Sequence, residues 1–391
     1  MFLGDLGVTE LVKILLVAGA RPNFVKIAPL MRALSARTDC FDTKLVHTGQ
    51  HYDASMSESF FEELGIPRPD FRLEVGSHSH AQQTARIMIA FEGVCLGETP
   101  QLVVLVGDVN STVACALVAK KLNIDVAHVE AGLRSGDRRM PEEINRIVTD
   151  SISDWFFVTE RSGIDNLRRE GQEAARIHLV GNVMIDNLFY QQRRLASCPP
   201  DVQLDVLRSR LGQRYGVVTL HRPSNVDEEA TLRAILGGLG RVAERLPLAF
   251  AVHPRTAAMM QRSGVEVPPG IFLSPPLPFM AFLNLWSHSA LAITDSGGLQ
   301  EETTALGIPC ITVRENTERP ITLTEGTNVM VGRDPERIVA EADRVLDGLG
   351  KVGRRPALWD GHAAERIVEV LERGYIRGIG PDLKAAALPG C

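Results

Sequence analysis

The sequence predicts an α/β protein with two doubly wound domains and a ligand cleft between them. The chain has 391 residues, more than one ordinary domain contains. Short runs that are apolar throughout alternate with amphipathic stretches, which is typical of parallel sheets covered by helices on both faces. The pattern restarts after a Pro-containing stretch at residues 197–203. We therefore expect a first domain at 1–190 and a second at 200–362, with a C-terminal helix at about 363–391 that packs back on the first domain.

The first half alternates predicted strands with predicted helices. Short apolar runs predict strands at Ile14–Ala18, Lys44–Thr48, Leu102–Val106, Asp125–Val129, Trp155–Val158 and Ile177–Val180. Apolar residues recur at helical spacing in Phe24–Ala36, Ala81–Leu96, Thr112–Leu122, Glu142–Ser153 and Arg161–Glu170. This alternation predicts a parallel sheet that is buried on both faces.

The second half repeats the same alternation. Its predicted strands are Val217–Leu220, Ala249–Val252, Ile271–Leu273, Leu291–Thr294, Cys310–Val313 and Val329–Val331. Its predicted helices are Glu229–Glu244, Phe279–Ser287, Leu299–Leu306 and Glu336–Leu346. Ligands of such sheets bind beyond the carboxyl ends of the strands, so polar residues at those ends are candidates for a functional site.

Composition excludes several classes of function. The net charge of −6 gives no support to binding of nucleic acid or of an anionic membrane. No apolar run reaches the length that spans a membrane, and the first residues lack the pattern of a signal peptide. The six cysteines are scattered without a Cys-x-x-Cys pair, which favours a reducing cytoplasm and speaks against structural zinc.

A glycine-containing turn in the second half is the strongest local signal. The run from Thr294 to Glu302 reads Thr-Asp-Ser-Gly-Gly-Leu-Gln-Glu-Glu and follows a predicted buried strand. Free backbone N–H groups at a helix start attract anions, and glycines let a phosphate come close. A carboxylate one turn later can accept bonds from paired ribose hydroxyls. We therefore predict a sugar-nucleotide site made by Ser296, Gly297, Gly298 and Glu302.

Two cations open the first helix of the chain. Arg21 follows the first predicted strand, and Lys26 lies within the next helix. Cations at a helix N-terminus oppose its dipole unless an anion is present, so both are candidates for substrate binding. The ordinary alternative is that both are solvated. The loop is neither Gly-x-Gly-x-x-Gly nor a Walker motif, so nicotinamide cofactors and ATP gain no support.

Three carboxylates follow strand ends or open a helix in the first half. Asp108 and Glu130 follow predicted strands, and Glu142 lies at a predicted helix start. Each has an ordinary explanation as well, such as a helix cap for Asp108 or the positive helix end for Glu142. If the three meet in one cleft, repulsion raises the pKa of at least one, so that one acts as an acid while another stays a base.

The helix that Glu142 opens has an expected apolar face, formed by Ile144, Ile147 and Val148. The polar residues of its first turns, which are Glu142, Glu143, Asn145 and Arg146, then point partly elsewhere. Arg134, in the same run as Glu130, is assigned to substrate binding.

Polar residues also follow strand ends in the second half. His221 and Arg222 suit binding of a diphosphate or assistance at its departure. The ordinary alternatives are a structural histidine and an internal salt bridge between Glu318 and a neighbouring arginine. We assign His221 to catalysis and the following residues to substrate binding: Arg222, His253, Arg255, Phe279 and Arg319.

Two weaker signals complete the set. Gln50 and His51 line the cleft or simply end a strand, and we assign both to substrate binding. His78 and His80 resemble a metal pair, but no cysteine or carboxylate lies at useful spacing, so no metal site is expected.

With these runs in place, the chain resembles the non-hydrolysing UDP-N-acetylglucosamine 2-epimerase family from about Lys13 to about Gly374. Each run is only moderately specific, whereas the ordered set is highly specific. The runs are Gly19–Lys26, Thr48–His51, Gly107–Ser111, His128–Arg134, Pro141–Arg146, His221–Arg222, Asp295–Glu302 and Thr317–Pro320. The resemblance implies two Rossmann-like domains in the glycosyltransferase-B arrangement with an interdomain active-site cleft, a homodimer and no redox cofactor.

The resemblance also implies roles for individual residues. The cations of the family's first loop match Arg21 and Lys26, and its catalytic carboxylates match Asp108, Glu130 and Glu142. The histidine that assists at the diphosphate matches His221, and the nucleotide-binding residues match Ser296, Gly297, Gly298 and Glu302. The implied reaction is reversible C2 epimerisation of UDP-N-acetylglucosamine through a 2-acetamidoglucal.

The sequence also departs from the family pattern. Members activated by a second substrate molecule often carry a Tyr-Ser-Pro stretch where only Arg138-Arg139-Met140 stands here, and Tyr52-Asp53 replaces a more usual pair. Allosteric activation is therefore not carried over. The Met-Pro-Glu-Glu run resembles relatives that act on UDP-2,3-diacetamido sugars, including uronic acids. A hydrolysing epimerase and a glycosyltransferase of the same architecture also stay open, while the intact acidic positions disfavour a non-catalytic sensor.

Overall fold

A computed structural model of the chain describes residues 11–49, 58–198 and 201–378. The chain divides into two compact units. Unit 1 contains the residues up to Asn187 together with those from Asp360 onward, and unit 2 is Leu188–Trp359. The predicted limits at 190 and 362 lie close to these boundaries.

The strands of the two units are short. In unit 1 they are β1 (Val12–Ala18), β2 (Phe41–His47), β3 (Phe71–Arg72), β4 (Leu102–Val106), β5 (Asp125–Val129), β6 (Trp155–Val158) and β7 (Ile177–Leu179). In unit 2 they are β8 (Gly216–Thr219), β9 (Leu248–Ala251), β10 (Ile271–Ser274), β11 (Leu291–Thr294), β12 (Cys310–Thr312) and β13 (Asn328–Met330).

Helices connect the strands along the chain. Up to the unit boundary they are α1 (Arg21–Ser35), α2 (Glu58–Leu64), α3 (His80–Glu98), α4 (Asn110–Lys121), α5 (Pro141–Ile152), α6 (Arg161–Arg169) and α7 (Val183–Arg194). They continue with α8 (Val202–Leu211), α9 (Pro223–Val226), α10 (Glu229–Ala243), α11 (Pro254–Ser263), α12 (Phe279–Ser287), α13 (Gly297–Leu306), α14 (Pro320–Thr324), α15 (Pro335–Leu346) and α16 (Ala363–Tyr375).

Each unit contains one parallel sheet. The strand order is β3-β2-β1-β4-β5-β6-β7 in unit 1 and β10-β9-β8-β11-β12-β13 in unit 2. Every recorded pair of neighbouring strands is parallel. Both orders reverse direction once, between β1 and β4 and between β8 and β11, which makes each sheet doubly wound as predicted.

The core of each unit lies between its sheet and its helices. In unit 1, Val103 and Leu105 of β4 pack with Cys115 of α4 and with Ile87 and Phe91 of α3. All residues of β4 and β11 are buried, which explains why both strands are apolar throughout. Removing one such side chain from water stabilises the fold by about 1.5–3 kcal/mol.

Local signals set the ends of the helices that matter for the site. Pro22 occupies the first turn of α1, where its missing N–H costs nothing. Ser296 caps α13, and Gly307 ends it in the left-handed conformation with φ of 74°.

The helix near the C-terminus, α16, belongs to unit 1. Helix α16 packs against α1, and Asp186 accepts hydrogen bonds from the backbone N–H groups of Ala363 and Ala364 at 3.1 and 2.7 Å. The unit boundary falls within α7, before the Pro-containing stretch at 197–203.

Membrane-spanning helices and metal-binding clusters are both absent from the described residues. None of the helices described here is long and apolar enough to cross a membrane. Within residues 11–49, 58–198 and 201–378, no group of three or more His, Cys, Asp or Glu side chains is arranged to hold a metal ion.

Candidate active site

The candidate residues of each unit gather where the strand order reverses. In unit 1, Arg21 follows β1 and Asp108 lies just beyond β4. In unit 2, His221 lies just beyond β8 and Ser296 just beyond β11. The loops after two such strands run to opposite faces of the sheet and leave a crevice, where ligands of this fold class bind.

In unit 1, Lys26 and Glu130 form a buried ion pair. Their ammonium and carboxylate groups are in direct contact, and the two residues are only 7% and 3% exposed. The turn at Gly107 leaves room for the pair, because a Cβ there would lie 3.2 Å from Lys26 Nζ and 3.5 Å from Glu130 Oε2. The second carboxylate oxygen of Glu130, Oε1, is buried and has no hydrogen-bond partner among the described residues.

Glu130 also holds a strained backbone conformation. Its φ is +69°, in the left-handed region that residues with a side chain rarely adopt. Such a conformation costs about 1–3 kcal/mol and persists only where the surroundings enforce it, typically at functional sites. The strain therefore supports a functional role for this carboxylate.

Asp108 is paired with a cation as well. The Arg146 guanidinium donates from Nε and Nη2 to Asp108 Oδ2 at 3.0 and 2.6 Å. Arg146 Nη1 also donates to Glu143 Oε2 at 2.6 Å. Burial raises the pKa of Glu143, but the backbone N–H groups of Ser135 and Gly136 and the charge of Arg146 outweigh it and hold that pKa below its usual value.

Helix α5 buries its polar side, so the predicted orientation is wrong. Glu143, Asn145 and Arg146 are buried, whereas Ile144 is 44% exposed. The polar side faces inward because it finds partners there: Asn145 Nδ2 donates to the Asp108 carbonyl at 2.9 Å. Glu142 is half-buried and lies one turn before Arg146, on the same helix face.

The three candidate carboxylates are accompanied by cations. Asp108 and Glu130 lie on either side of the Gly107 turn, and Glu142 lies beside the helical residues that bind Asp108. Lys26 and Arg146 pair with two of them. The expected mutual repulsion is therefore offset by buried cations, and the roles of the three in catalysis remain predictions.

Other predicted residues of unit 1 have structural partners. Arg134 forms ion pairs with Asp150 at 2.7 Å and with Glu170 at 2.6 Å, and its contact with substrate remains a prediction. The Arg21 guanidinium lies over the Phe60 ring, 5.1 Å from its centroid. Gln50 and His51, together with Tyr52 and Asp53, lie outside the described residues.

In unit 2, His221 is held by a buried carboxylate. His221 Nδ1 lies 2.8 Å from Oδ1 of Asp295, which is fully buried, while the imidazole is 41% exposed. The backbone N–H groups of His221 and Arg222 and the Asn225 amide also donate to this carboxylate. Burial raises the pKa of Asp295, but these bonds and the charge of His221 outweigh it, so the pKa lies below its usual value.

A second histidine lies next to His221. The rings of His221 and His253 are 5.8 Å apart, and His253 Nδ1 accepts the backbone N–H of Arg255 at 3.2 Å. Burial lowers the pKa of His253, and the neighbouring His221 lowers it further. The Arg255 guanidinium forms an exposed pair with Asp227, so its predicted contact with substrate remains untested.

The start of α13 lies at the reversal point. Ser296, Gly297 and Gly298 are each half-exposed, and the Ser296 N–H donates to Thr294 Oγ1 at 2.9 Å. A Cβ at Gly297 would lie 3.0 Å from Glu318 Oε1 and 3.1 Å from Arg319 Nη1, so a larger residue would push that ion pair away. The nest of N–H groups predicted from the sequence is therefore accessible, and it is flanked by charged side chains.

An arginine cluster surrounds this helix start. Glu318 pairs with Arg314 at 2.8 Å and with Arg319 at 2.6 Å, and Arg319 also pairs with Glu301 at 2.8 Å. Arg222 lies 3.9 Å from Glu318, and burial, followed by the charge of Arg314, lowers the pKa of Arg222. The charges of Arg222, Arg314 and Arg319 are balanced by three carboxylates, which are Glu301, Glu318 and Asp295.

Two predicted residues lie further along the chain in unit 2. Glu302 is half-buried, and burial together with the charge of Glu301 raises its pKa to about 8. Phe279 is the first residue of α12 and is half-buried, and its contact with substrate remains a prediction.

Sequence reasoning missed the partners that hold these residues in place. Asp295 stood inside the Thr-Asp-Ser-Gly-Gly run but was not selected, although a carboxylate directly after a buried strand is a recognisable signal. His128 and Asp150 were missed because their contact joins residues 22 positions apart. No pattern in the sequence shows that contact.

Comparison with known proteins gives a consistent result. A protein-family model described as UDP-N-acetylglucosamine 2-epimerase matches residues 32–372. The UDP-N-acetylglucosamine 2-epimerase of Methanocaldococcus jannaschii is 39% identical over 368 residues, covering 93% of this chain and 99% of that protein. The UDP-2,3-diacetamido-2,3-dideoxy-D-glucuronate 2-epimerase of Pseudomonas aeruginosa is 41% identical over 367 residues, covering 92% of this chain and 99% of that protein.

Solved structures agree. The crystal structure of the M. jannaschii enzyme in complex with UDP-GlcNAc and UDP matches with a TM-score of 0.83 at 38% identity, covering 93% of this chain and all of that one. A putative UDP-N-acetylglucosamine 2-epimerase from Listeria monocytogenes matches with a TM-score of 0.84 at 28% identity, covering 95% and 99% of the two chains. These neighbours confirm the predicted glycosyltransferase-B-like fold class. The chain belongs to the UDP-N-acetylglucosamine 2-epimerase family.

Proposed function

We propose that this protein interconverts UDP-N-acetylglucosamine and UDP-N-acetylmannosamine by inverting C2 of the sugar. The observation that carries the proposal is the match of nearly the whole chain to this family, with the family's carboxylates, histidine and glycine turn all present. The reaction eliminates UDP to form a 2-acetamidoglucal and then adds UDP back.

The chemistry needs both an anion site and a base. The proton on C2 is not acidic on its own. Departure of UDP places positive character on C1, and this makes the C2 proton acidic. A carboxylate then removes the proton, and reprotonation from the opposite face inverts C2. Because no hydride moves, the proposed reaction requires no redox cofactor.

Unit 2 supplies the groups that suit the diphosphate. The N–H groups of Gly297 and Gly298, at the nest that Ser296 begins, and the Arg222 guanidinium would stabilise the negative charge that grows as UDP leaves. Asp295 accepts a hydrogen bond from His221 Nδ1–H, which leaves Nε2 to exchange a proton with the leaving group. Glu302 would accept bonds from the ribose hydroxyls.

Unit 1 supplies the groups that suit the sugar. Glu130 has a second carboxylate oxygen without a partner among the described residues, and Lys26 balances its charge. Asp108 and Glu142 lie on the neighbouring turn and helix face. We propose that these three carboxylates share the acid and base duties at C2.

One incubation tests the reaction. UDP-N-acetylglucosamine is supplied in deuterium oxide without an acceptor, and proton and phosphorus NMR follow the products. We expect deuterium at C2 in both UDP-sugars and no accumulation of free UDP. Unlabelled product would reject the elimination scheme, release of UDP with N-acetylmannosamine would indicate a hydrolysing epimerase, and turnover only with an added acceptor would indicate a glycosyltransferase.

A second substrate class has specific support. The P. aeruginosa relative named as a UDP-2,3-diacetamido-2,3-dideoxy-D-glucuronate 2-epimerase is 41% identical, against 39% for the M. jannaschii enzyme. The ratio of kcat/KM for the two UDP-sugars decides between them. A ratio favouring the diacetamido uronate would replace the first assignment of substrate while keeping the reaction.

The expected homodimer and cytoplasmic location also stand as proposals. The family resemblance supports the dimer, which light scattering on a sizing column tests directly. The scattered cysteines of the sequence support a reducing compartment, and fractionation of the source cells tests that location.

A further inference from the structure

A histidine outside the predicted site connects both carboxylate-bearing turns of unit 1. His128 lies in β5 and is fully buried. Its Nδ1 lies 2.6 Å from Asp150 Oδ1, and its Nε2 lies 2.8 Å from the Gly107 carbonyl oxygen. Each ring nitrogen therefore faces an oxygen atom at hydrogen-bond distance.

The two oxygens that face the ring of His128 belong to groups that accept hydrogen bonds. A carbonyl oxygen can accept a hydrogen bond but cannot donate one, and the same is true of an ionised carboxylate. A neutral imidazole carries one N–H, so one of its nitrogens would turn a lone pair toward an acceptor. Both contacts are satisfied only if the ring carries two protons and is an imidazolium cation.

Asp150 is held in its ionised form by the same surroundings. Its Oδ2 accepts the backbone N–H of Gly132 at 3.0 Å and lies 2.7 Å from Arg134 Nη2. Burial raises the pKa of Asp150, but the charges and hydrogen bonds of His128 and Arg134 outweigh it and hold that pKa below its usual value. Glu170 balances the remaining charge of Arg134.

We infer that His128 is a doubly protonated positioning residue, which fixes the turns that carry Asp108 and Glu130. Its Nε2–H holds the carbonyl of Gly107, the residue directly before Asp108. Its Nδ1–H holds Asp150, which in turn holds Gly132, two residues after Glu130. The inference rests on the proposed function, because these two carboxylates are assigned to the epimerisation.

The backbone conformation of both turns explains why they need the contacts of His128 and Asp150. Gly107 and Glu130 have φ values of +68° and +69°, and the value at Glu130 is strained. A strained turn relaxes unless contacts enforce it, and a shift of about 1 Å in a catalytic group can cost about 100-fold in rate. The buried charges near the ring are balanced in pairs, His128 and Arg134 by Asp150 and Glu170, and Lys26 by Glu130.

The first test reads the protonation directly. The full-length protein is labelled with nitrogen-15 histidine, and long-range proton–nitrogen correlation spectra are recorded between pH 6 and 8. We expect one histidine to show the imidazolium pattern throughout, with both nitrogens protonated, and that signal to be absent in His128→Gln. A neutral pattern for His128 at pH 7 would overturn the inference.

Substitution of Asp150 provides a second test of the protonation of His128. In Asp150→Asn the carboxylate charge is gone, so we expect the His128 signal to change to a neutral form within the same pH range. An imidazolium signal that is unchanged in Asp150→Asn would contradict the assigned pairing.

The kinetic test separates positioning from general stability. Glutamine can donate to only one of the two oxygens, so we expect His128→Gln to lower kcat by about 10- to 100-fold. The dissociation constant for UDP should stay within about twofold, because the proposed nucleotide groups lie in unit 2. The matched control is His178→Gln in β7 of the same sheet, which should keep kcat within about twofold.

The outcomes distinguish this inference from the proposed function. If His128→Gln keeps the kcat of the control, the positioning role is wrong even though the enzyme epimerises. If the wild-type protein does not epimerise its substrate, the proposed function is wrong, while the spectra still decide the protonation of the ring. If His128→Gln does not fold, His128→Asn identifies the signal, and the wild-type and Asp150→Asn spectra decide.

Discussion

His221 Nδ1 lies 2.8 Å from Asp295 Oδ1, so an exposed imidazole at one strand end is anchored by a buried carboxylate at the next. The two residues are separated by 74 positions in the chain but follow adjacent strands, β8 and β11. The Nδ1–H group of His221 donates a hydrogen bond to Asp295, and Nε2 is therefore directed outward. A histidine held this way presents one defined tautomer to a ligand.

Substitution of Asp295 by asparagine should therefore damage both stability and catalysis. The new amide group would face the backbone N–H groups of His221 and Arg222, which leaves buried donors without an acceptor. We expect stability to fall by about 1–3 kcal/mol. We also expect kcat to fall by about 100-fold, because His221 loses its fixed tautomer. Denaturant unfolding and steady-state kinetics measure the two effects.

A surface carboxylate serves as the control for this substitution. Asp343 pairs with Arg245 at 2.6 Å, and both side chains are at least 40% exposed. Asp343→Asn should change stability by less than about 1 kcal/mol and leave kcat unchanged. Full activity in Asp295→Asn would show that the carboxylate does not govern His221.

Glu302 should make nucleotide binding depend on pH. Its pKa is raised to about 8, so the group is mostly protonated at pH 7 in the free protein. An ionised carboxylate accepts bonds from both ribose hydroxyls, whereas the protonated form offers fewer acceptors. Binding should therefore release a proton at pH 7 and strengthen as pH rises to 9, by up to about tenfold. Calorimetry with UDP-N-acetylglucosamine in buffers of different ionisation heat measures both effects.

The neutral variant Glu302→Gln separates this group from the others that titrate. We expect it to bind more weakly than the wild type at pH 9 and to release no proton at pH 7. Proton release of the same size in the variant would assign the effect to another group and contradict the prediction.

The buried strands could be predicted closely from the sequence. The bounds of β4, β5, β6 and β11 coincide with the predicted runs, which are Leu102–Val106, Asp125–Val129, Trp155–Val158 and Leu291–Thr294. Strands that are covered on both faces must be apolar throughout, so their ends are visible as changes of composition. The edge strand β3, Phe71–Arg72, was missed because two residues carry no periodicity.

The orientation of α5 shows where sequence patterns stop being informative. Its apolar residues suggested which face was buried, yet Ile144 is exposed while Asn145 and Arg146 are buried. Those two face inward because their partners come from the loop at Asp108, 37 or 38 residues earlier. Periodicity records hydrophobicity but not the location of such partners, so the candidate carboxylates and Lys26 were predictable, while the pairing of Lys26 with Glu130 and of Arg146 with Asp108 was not.

Replacing Lys26 by methionine should destabilise the protein strongly. The substitution leaves the Glu130 carboxylate buried without its counterion, in a residue that is only 3% exposed. A buried charge that loses its partner typically costs about 3–5 kcal/mol. The double variant with Glu130→Gln removes the stranded charge, so we expect it to recover most of that loss. Neither variant should epimerise its substrate. Denaturant unfolding of the wild type, of the single variants Lys26→Met and Glu130→Gln, and of the double variant measures the coupling.

A half-buried lysine–glutamate pair in the same unit shows what full burial contributes. Lys44 and Glu98 pair at 2.5 Å with side chains 34% and 23% exposed. Lys44→Met should cost less than about 1 kcal/mol. If Lys26→Met costs no more than that, or if the double variant is as unstable as the single one, Glu130 is not held by Lys26.

Asp186 should make unit 1 less stable as pH rises through about 6. Burial raises its pKa from 3.8 to about 6, although the N–H groups of Ala364 and Ala363 at the start of α16 lower it in part. The folded state therefore holds a proton that the unfolded chain releases near pH 4. The contribution of Asp186 to the free energy of unfolding is therefore complete below pH 4 and is lost by pH 7. It is on the order of 3 kcal/mol, because the residue is only 6% exposed.

In Asp186→Asn the side chain cannot ionise, so the variant should gain stability relative to the wild type between pH 5 and 7.5. Hydrogen exchange of α16 at pH 5 and 7.5, corrected for the intrinsic exchange rate, measures this difference in stability. An equal change in protection in both proteins would show that Asp186 keeps an ordinary pKa.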